Sequence, residues 1–205
     1  MTFPLRLAVL GDSIAYGTGA LSRADTLGPR LAAALAGEGF TVDLSVFAVP
    51  GALSAGLPAQ VRRAAAVRAD LAVVVIGAND LARFVPPASA CRFLADAVTA
   101  LQHDGTDVVV VPAPDMSAVP WIPPAFRDVV SAASGLMQRH QAEAAAAAGA
   151  RVADVSPRIA AAFATDPALF AADRFHPSSA GYARIAEALV PAVLAAARDR
   201  RDAAA

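Results

Sequence analysis

Short runs of β-branched and aliphatic residues alternate along the chain with longer alanine- and leucine-rich segments of helical period. That alternation is the pattern of βαβ units built around a parallel sheet. It predicts strands over Leu5–Leu10, Val42–Val49, Leu71–Ile76, Asp107–Val111 and Arg151–Val155. The middle runs are apolar at nearly every position, as expected of strands covered by helices on both faces. Helices are expected over Leu27–Ala36, Pro58–Arg68, Ser89–His103, Phe126–Ala148 and Ser178–Arg198. Five strands with intervening helices make a three-layer α/β/α domain. No linker or low-complexity break divides them, so residues 1–205 read as a single domain, with the tail from Arg198 expected to fray.

Composition narrows the partners. A chain of 205 residues that is 57% hydrophobic can bury a core without disulfides or metals. Its formal net charge is −1 and its basic residues, all arginine, are scattered, so it lacks the concentrated positive surface that nucleic acid or an anionic membrane requires. The lone Cys91 excludes an intramolecular disulfide framework and a multi-cysteine zinc site. Met1–Leu10 is too short and too weakly basic for a secretory leader and reads as a core strand. No run of ~20 apolar residues is free of charge, proline or glycine, so stable membrane insertion is not expected. The expectation is a cytoplasmic protein acting on a small molecule, in an oligomeric state that sequence does not fix.

Two connections are longer than such folds need. The segment from Val111 to Ala125 is proline-rich and carries the only tryptophan, Trp121, and Thr165 to Pro177 precedes the last helix. Long structured loops in compact domains tend to be binding elements. Trp121 reads equally well as a loop anchor or as a substrate-lining residue.

Four segments carry candidate chemistry. Gly11-Asp12-Ser13 ends the first strand, placing a serine at the carboxyl edge of a parallel sheet, where open α/β sheets bind ligands; by itself the segment is equally a capped turn. Asp173-Arg174-Phe175-His176-Pro177 precedes the last helix. Serine needs a base to take its proton, and an imidazole needs a carboxylate to fix its tautomer, so Asp173 and His176 can supply what Ser13 lacks. Gly77-Ala78-Asn79-Asp80 follows the most apolar strand, and an asparagine amide there can donate to an oxyanion or simply form a turn. Pro50-Gly51 again follows a strand, and Gly51 can present an unobstructed amide. His103 and His140 lack comparable settings and read as solvated helix residues.

In order and at strand ends, the four segments together resemble the four blocks of the SGNH hydrolase superfamily, also called GDSL esterases or lipases, over nearly the whole chain. The resemblance implies a flavodoxin-like five-stranded sheet of order 2-1-3-4-5. It also implies Ser13 as nucleophile, His176 as base and Asp173 as the partner that orients it. The Ser13 and Gly51 amides with the Asn79 side chain would form the oxyanion hole. Such a site performs acyl transfer on small-molecule esters and needs no metal or organic cofactor. Members often carry an asparagine shortly before the second-block glycine, where this chain has Val46-Phe47-Ala48, so the support of that loop is open. An acyltransferase or thioesterase would share the site. A phosphate-cradling module built on Gly17-Thr18-Gly19 is a non-catalytic alternative, although the third glycine of a dinucleotide loop is missing.

Overall fold

Successive side chains of the first strand, β1 (Phe3–Gly11), enter opposite sides of the core, as the two-residue period of a strand dictates. Leu7 and Val9 pack with Leu27, Leu31 and Leu35 on one side, and Ala8 and Leu10 pack with Leu57, Leu94 and Val98 on the other. The sheet is therefore the middle layer. The computed structural model describes residues 2–153 and 157–204. With β2 (Phe40–Val46), β3 (Leu71–Val75), β4 (Asp107–Val111) and β5 (Arg151–Val152), β1 forms one parallel sheet in the order β2-β1-β3-β4-β5, as expected.

The helices are α1 (Ser13–Tyr16), α2 (Leu27–Gly37), α3 (Leu57–Ala66), α4 (Ala78–Ala82), α5 (Pro87–His103), α6 (Arg127–Ala147), α7 (Pro157–Thr165) and α8 (Ser179–Ala203). Helices α2 and α8 supply one face of the core, and α3, α5 and part of α6 the other.

Several boundaries differ from expectation. β2 lies earlier than Val42–Val49, yet its extension still bonds to β1, with the Phe47 amide donating to Val9 at 2.8 Å and the Val49 amide to Gly11 at 3.0 Å. Of the fifth predicted strand, residues 154 and 155 lie outside the described residues, while Ala153 continues the pairing through Val110 at 2.8 Å. The tail is helical to Ala203 instead of fraying at Arg198, because Arg198 bonds Glu38 at 2.6 Å and Arg200 bonds Asp70 and Asp107 at 3.0 Å each. By length and composition α8 is long and apolar enough to cross a membrane, although Gly181, Arg184, Glu187 and Pro191 interrupt it. Here its apolar face, with Tyr182, Leu189 and Val193, lies in the core. Helices α1, α4 and α7 were not anticipated, and all three stand at the carboxyl edge where the candidate residues gather.

Candidate active site

The serine turn is held from below. At Gly11, φ is +134° and a Cβ would stand 1.8 Å from the Val75 carbonyl oxygen, so no other residue fits this crossing of β1 and β3. Buried Gln60 of α3 bonds both polar groups of Gly11, accepting from its amide at 2.7 Å and donating to its carbonyl at 2.9 Å. Asp12 then caps α1 by accepting the Ile14 amide at 2.9 Å. Ser13, the first residue of that helix, is 6% exposed. The fully buried Tyr182 of α8 donates its hydroxyl to the Thr18 carbonyl at 2.8 Å, which fixes the far end of the turn.

Asp12 is buried beside Ser13, and its Oδ2 finds no hydrogen-bond partner among the described residues. Burial, with Asp80 adding to it, raises its carboxyl pKa to about 6 against the opposing pull of the Ile14 and Gly77 amides and of His176.

The histidine loop folds back on itself through an antiparallel bridge between Phe170 and Pro177. Arg174 takes a left-handed conformation, φ +55°, which turns the chain so that Asp173 and His176 face each other. His176 Nδ1 lies 2.6 Å from Asp173 Oδ2, and Asp173 Oδ1 accepts the Phe175 and His176 amides at 2.9 and 3.0 Å. Partial burial alone would raise the Asp173 pKa, but the His176 ring and the two amides outweigh it and hold the carboxyl below its ordinary value. Ser178 caps α8 by accepting the Gly181 amide at 3.2 Å, so the loop ends on a fixed helix start.

The second and third segments are tied to one another. Asn79 donates from Nδ2 to the Ala52 carbonyl at 3.2 Å. A primary amide has two hydrogens, so the other is left for a ligand. Its neighbour Asp80, fully buried, accepts the Ser54 amide at 3.0 Å and the Ser54 hydroxyl at 3.0 Å. These bonds, with the Phe47 and Val49 amides on β1, supply the support that the absent asparagine left open. Gly51 is exposed at φ +79°, with open space where a Cβ would sit.

Ser13 and His176 line one cavity. Trp121 stands outside it, 58% exposed, stacked on Phe175 with ring centroids 5.0 Å apart and donating from Nε1 to the Arg174 carbonyl at 2.7 Å. Phe175 in turn meets the His176 ring edge-on at 4.9 Å. Trp121 therefore braces the histidine loop, the anchoring half of its two readings. Gly17-Thr18-Gly19 is not an open cradle: a Cβ at Gly19 would stand 2.6 Å from the Pro177 carbonyl and 2.9 Å from the His176 Cβ, so the glycine makes room for the histidine loop. His103 and His140 are exposed, the latter 3.7 Å from Glu143.

Sequence reasoning passed over Gln60, Asp80, Gln141 and Tyr182. Gln141 is a buried side chain of α6 that accepts the Ala113 amide at 2.7 Å and donates to the Ile76 carbonyl at 3.1 Å, joining the ends of β3 and β4. A polar residue in an otherwise apolar helical face is the signal each of the two glutamines carried.

A serine at the end of the first strand of a doubly covered parallel sheet, sharing a cavity with a carboxylate-bonded histidine, is the arrangement of a serine hydrolase. Residues 9–184 match the GDSL-like lipase/acylhydrolase family, and the chain belongs to it. It is 34% identical over 204 residues to the GDSL-like esterase Rv1075c of Mycobacterium tuberculosis. That match takes in 98% of this chain and 65% of the relative, so the chain spans about two thirds of the relative's length. Solved structures of the same fold include TesA, with a TM-score of 0.75 and 24% identity over 93% of this chain and 99% of that one. Another is Axe2, an acetylxylan esterase from Geobacillus stearothermophilus, with a TM-score of 0.71 and 20% identity over 94% of this chain and 95% of that one.

Proposed function

We propose that the protein hydrolyses carboxylic esters through an acyl-enzyme on Ser13. The observation that carries this reading is the pairing of His176 Nδ1 with Asp173 at 2.6 Å in a cavity that Ser13 and His176 both line. With Nδ1 engaged, Nε2 is the ring nitrogen left to take a proton from Ser13. The Ser13 oxygen attacks the ester carbon, and the displaced proton passes through His176 to the departing alcohol as the carbon–oxygen bond breaks. Water then adds to the acyl-serine, giving its proton to His176, and the acid leaves as Ser13 recovers its hydrogen. Negative charge on the tetrahedral oxygen is met by the Ser13 and Gly51 amides and the second hydrogen of the Asn79 amide.

Hydrolysis of p-nitrophenyl esters by the wild type and by Ser13→Ala, with thermal melting of both, tests the reading. Loss of nearly all turnover at an unchanged melting temperature is expected, because the hydroxyl forms the covalent bond and contributes little to the core. A folded Ser13→Ala protein with wild-type turnover removes Ser13 as nucleophile. Alcohols and acyl-thioesters added to the same assay separate transfer and thioester cleavage from hydrolysis.

A further inference from the structure

The cavity that Ser13 and His176 line has a volume of about 110 Å³, and the rest of its wall is largely apolar. Its wall includes Ile14, Met116, Phe170 and Ile185, and α7 contributes Ile159 and Phe163. The Phe163 ring is held in place, edge-on to Phe170 with centroids 5.1 Å apart, and so close to Gly181 of α8 that a Cβ there would stand 3.0 Å from its Cζ. The other polar side chains of the wall, Asp115 and Gln138, already hold protein partners. Asp115 accepts the Ser117 amide at 2.9 Å and the Ser131 hydroxyl at 3.0 Å, and Gln138 donates from Nε2 to the Ala113 carbonyl at 2.9 Å. A hydroxyl-rich group entering here would give up its bonds to water and find poor replacements, whereas a hydrocarbon chain gains from the same burial.

We infer that this chamber receives the hydrocarbon chain of the substrate's acyl group, and that α7, through Phe163 and Ala160, limits its length. The inference rests on the acyl-enzyme reading. In that mechanism the alcohol must depart and water must enter between the two half-reactions, so the apolar space beside Ser13 suits the half of the ester that stays on Ser13. Its size sets a limit, because about 110 Å³ bounded by α7 has room for a short chain and not for a long one. Preferred substrates are therefore esters of unbranched fatty acids with an optimum well short of dodecanoyl.

The experiment is a series of p-nitrophenyl esters from acetyl to dodecanoyl, with kcat/KM measured for the wild type, Phe163→Ala and Ala160→Leu. For the wild type, kcat/KM is expected to rise ~4-fold per methylene until the chamber is full, then to fall. Ala160→Leu adds bulk to the wall, so the hexanoyl-to-acetyl ratio should drop by roughly 10-fold, the worth of one to two methylenes. Phe163→Ala should move the optimum to longer chains. A second arm uses acetate esters of alcohols of increasing length, for which no such optimum is expected. A wild-type profile that is flat or rises through dodecanoyl overturns the inference, as does an optimum that follows the alcohol or a profile unchanged in both variants. Those outcomes all leave ester turnover intact. Absence of turnover on every ester, with no labelling of Ser13 by a fluorophosphonate, would instead defeat the acyl-enzyme reading and take this inference with it.

Discussion

Ser54 donates twice to Asp80, from its amide and its hydroxyl at 3.0 Å each, across a separation of 26 residues. The bond joins the loop carrying Gly51 to the helix carrying Asn79, and so ties together the two proposed oxyanion donors outside the serine turn. Asp80→Ala is expected to lower kcat more than it raises KM, because a loosened donor pair weakens transition-state binding first. Each buried donor left unpaired costs ~1–3 kcal/mol, so two cost roughly 2–6 kcal/mol, and at roughly 2–4 °C per kcal/mol for a chain of this size the melting temperature should fall by about 4–20 °C. Steady-state kinetics with thermal melting check both effects. Lost stability with kcat and KM unchanged would confine Asp80 to a structural role.

Asn79 provides the more direct test of the oxyanion site. Its bond to Ala52 at 3.2 Å fixes the amide plane while leaving one hydrogen free. Removing a single oxyanion donor from other serine hydrolases costs ~10²–10³ in kcat, and Asn79→Ala is expected within or below that range because two amides remain. Asn79→Asp nearly keeps the size but places a carboxylate beside both the Ala52 carbonyl and the developing negative charge. It should be at least as damaging as alanine. Wild-type kcat in the aspartate variant would remove Asn79 from the oxyanion site.

What could be read from the sequence was local. The parallel sheet follows from the alternation of apolar runs with helical segments, its strand order was what the family resemblance implied, and each of the four candidate segments is a short contiguous run. The 2.6 Å bond between Asp173 and His176, three residues apart, is of this kind. The supports are not. Gln60 meets Gly11 across 49 residues, Gln141 meets Ile76 across 65, and Tyr182 meets Thr18 across 164, and no periodicity marks such partners. Helices α1 and α4 are each a turn or so long, too short for a 3.6-residue period to appear. Helix α7 was passed over although Ser156-Pro157 is a helix-start signal in the sequence, and residues of it line the cavity.

The buried Asp12 ties stability to pH. Its folded pKa, about 6, lies above the ordinary carboxylate value of 3.8, so between those values the folded protein holds a proton that the unfolded chain has released. Stability from this group is therefore greatest at low pH and is lost as pH rises from about 4 through 6. At ~1.4 kcal/mol per unit, a shift of about two units is worth up to ~3 kcal/mol. The groups that bear on Asp12 are Asp80, His176 and Tyr182. Asp12→Asn can still cap α1 through its side-chain oxygen but cannot ionise. Urea unfolding of both proteins at several pH values from 4 to 8 should show the variant gaining on the wild type as pH rises, then holding level. A difference that stays constant across the range would mean that Asp12 does not titrate there.

Asp173→Asn makes the sharpest demand on the proposed mechanism. From the Asp-x-x-His spacing alone, other contacts could orient His176 after such a change, and the cost would be smaller than that of losing the histidine. The geometry argues otherwise. Both oxygens of Asp173 accept, Oδ1 from two amides at 2.9 and 3.0 Å and Oδ2 from His176 Nδ1. An asparagine has one oxygen. If that oxygen keeps the two amides, its NH₂ faces Nδ1 and can donate only to an unprotonated nitrogen, which puts the ring hydrogen on Nε2, where it cannot accept a proton from Ser13. If the oxygen faces Nδ1 instead, the NH₂ meets two N–H groups and the loop loses both bonds. The first arrangement disables the base, and in another serine hydrolase the wrong tautomer costs ~10⁴ in kcat; the second keeps the tautomer but loosens the loop that positions the ring. Asp173→Asn is thus expected to approach His176→Ala in severity, while Asp173→Ala, which leaves the ring free to take either tautomer, should retain at least as much activity as the asparagine variant. Measuring kcat for the three variants on one activated ester, with circular dichroism to confirm folding, decides the matter. Near-wild-type kcat in Asp173→Asn would show that His176 is oriented without this carboxylate.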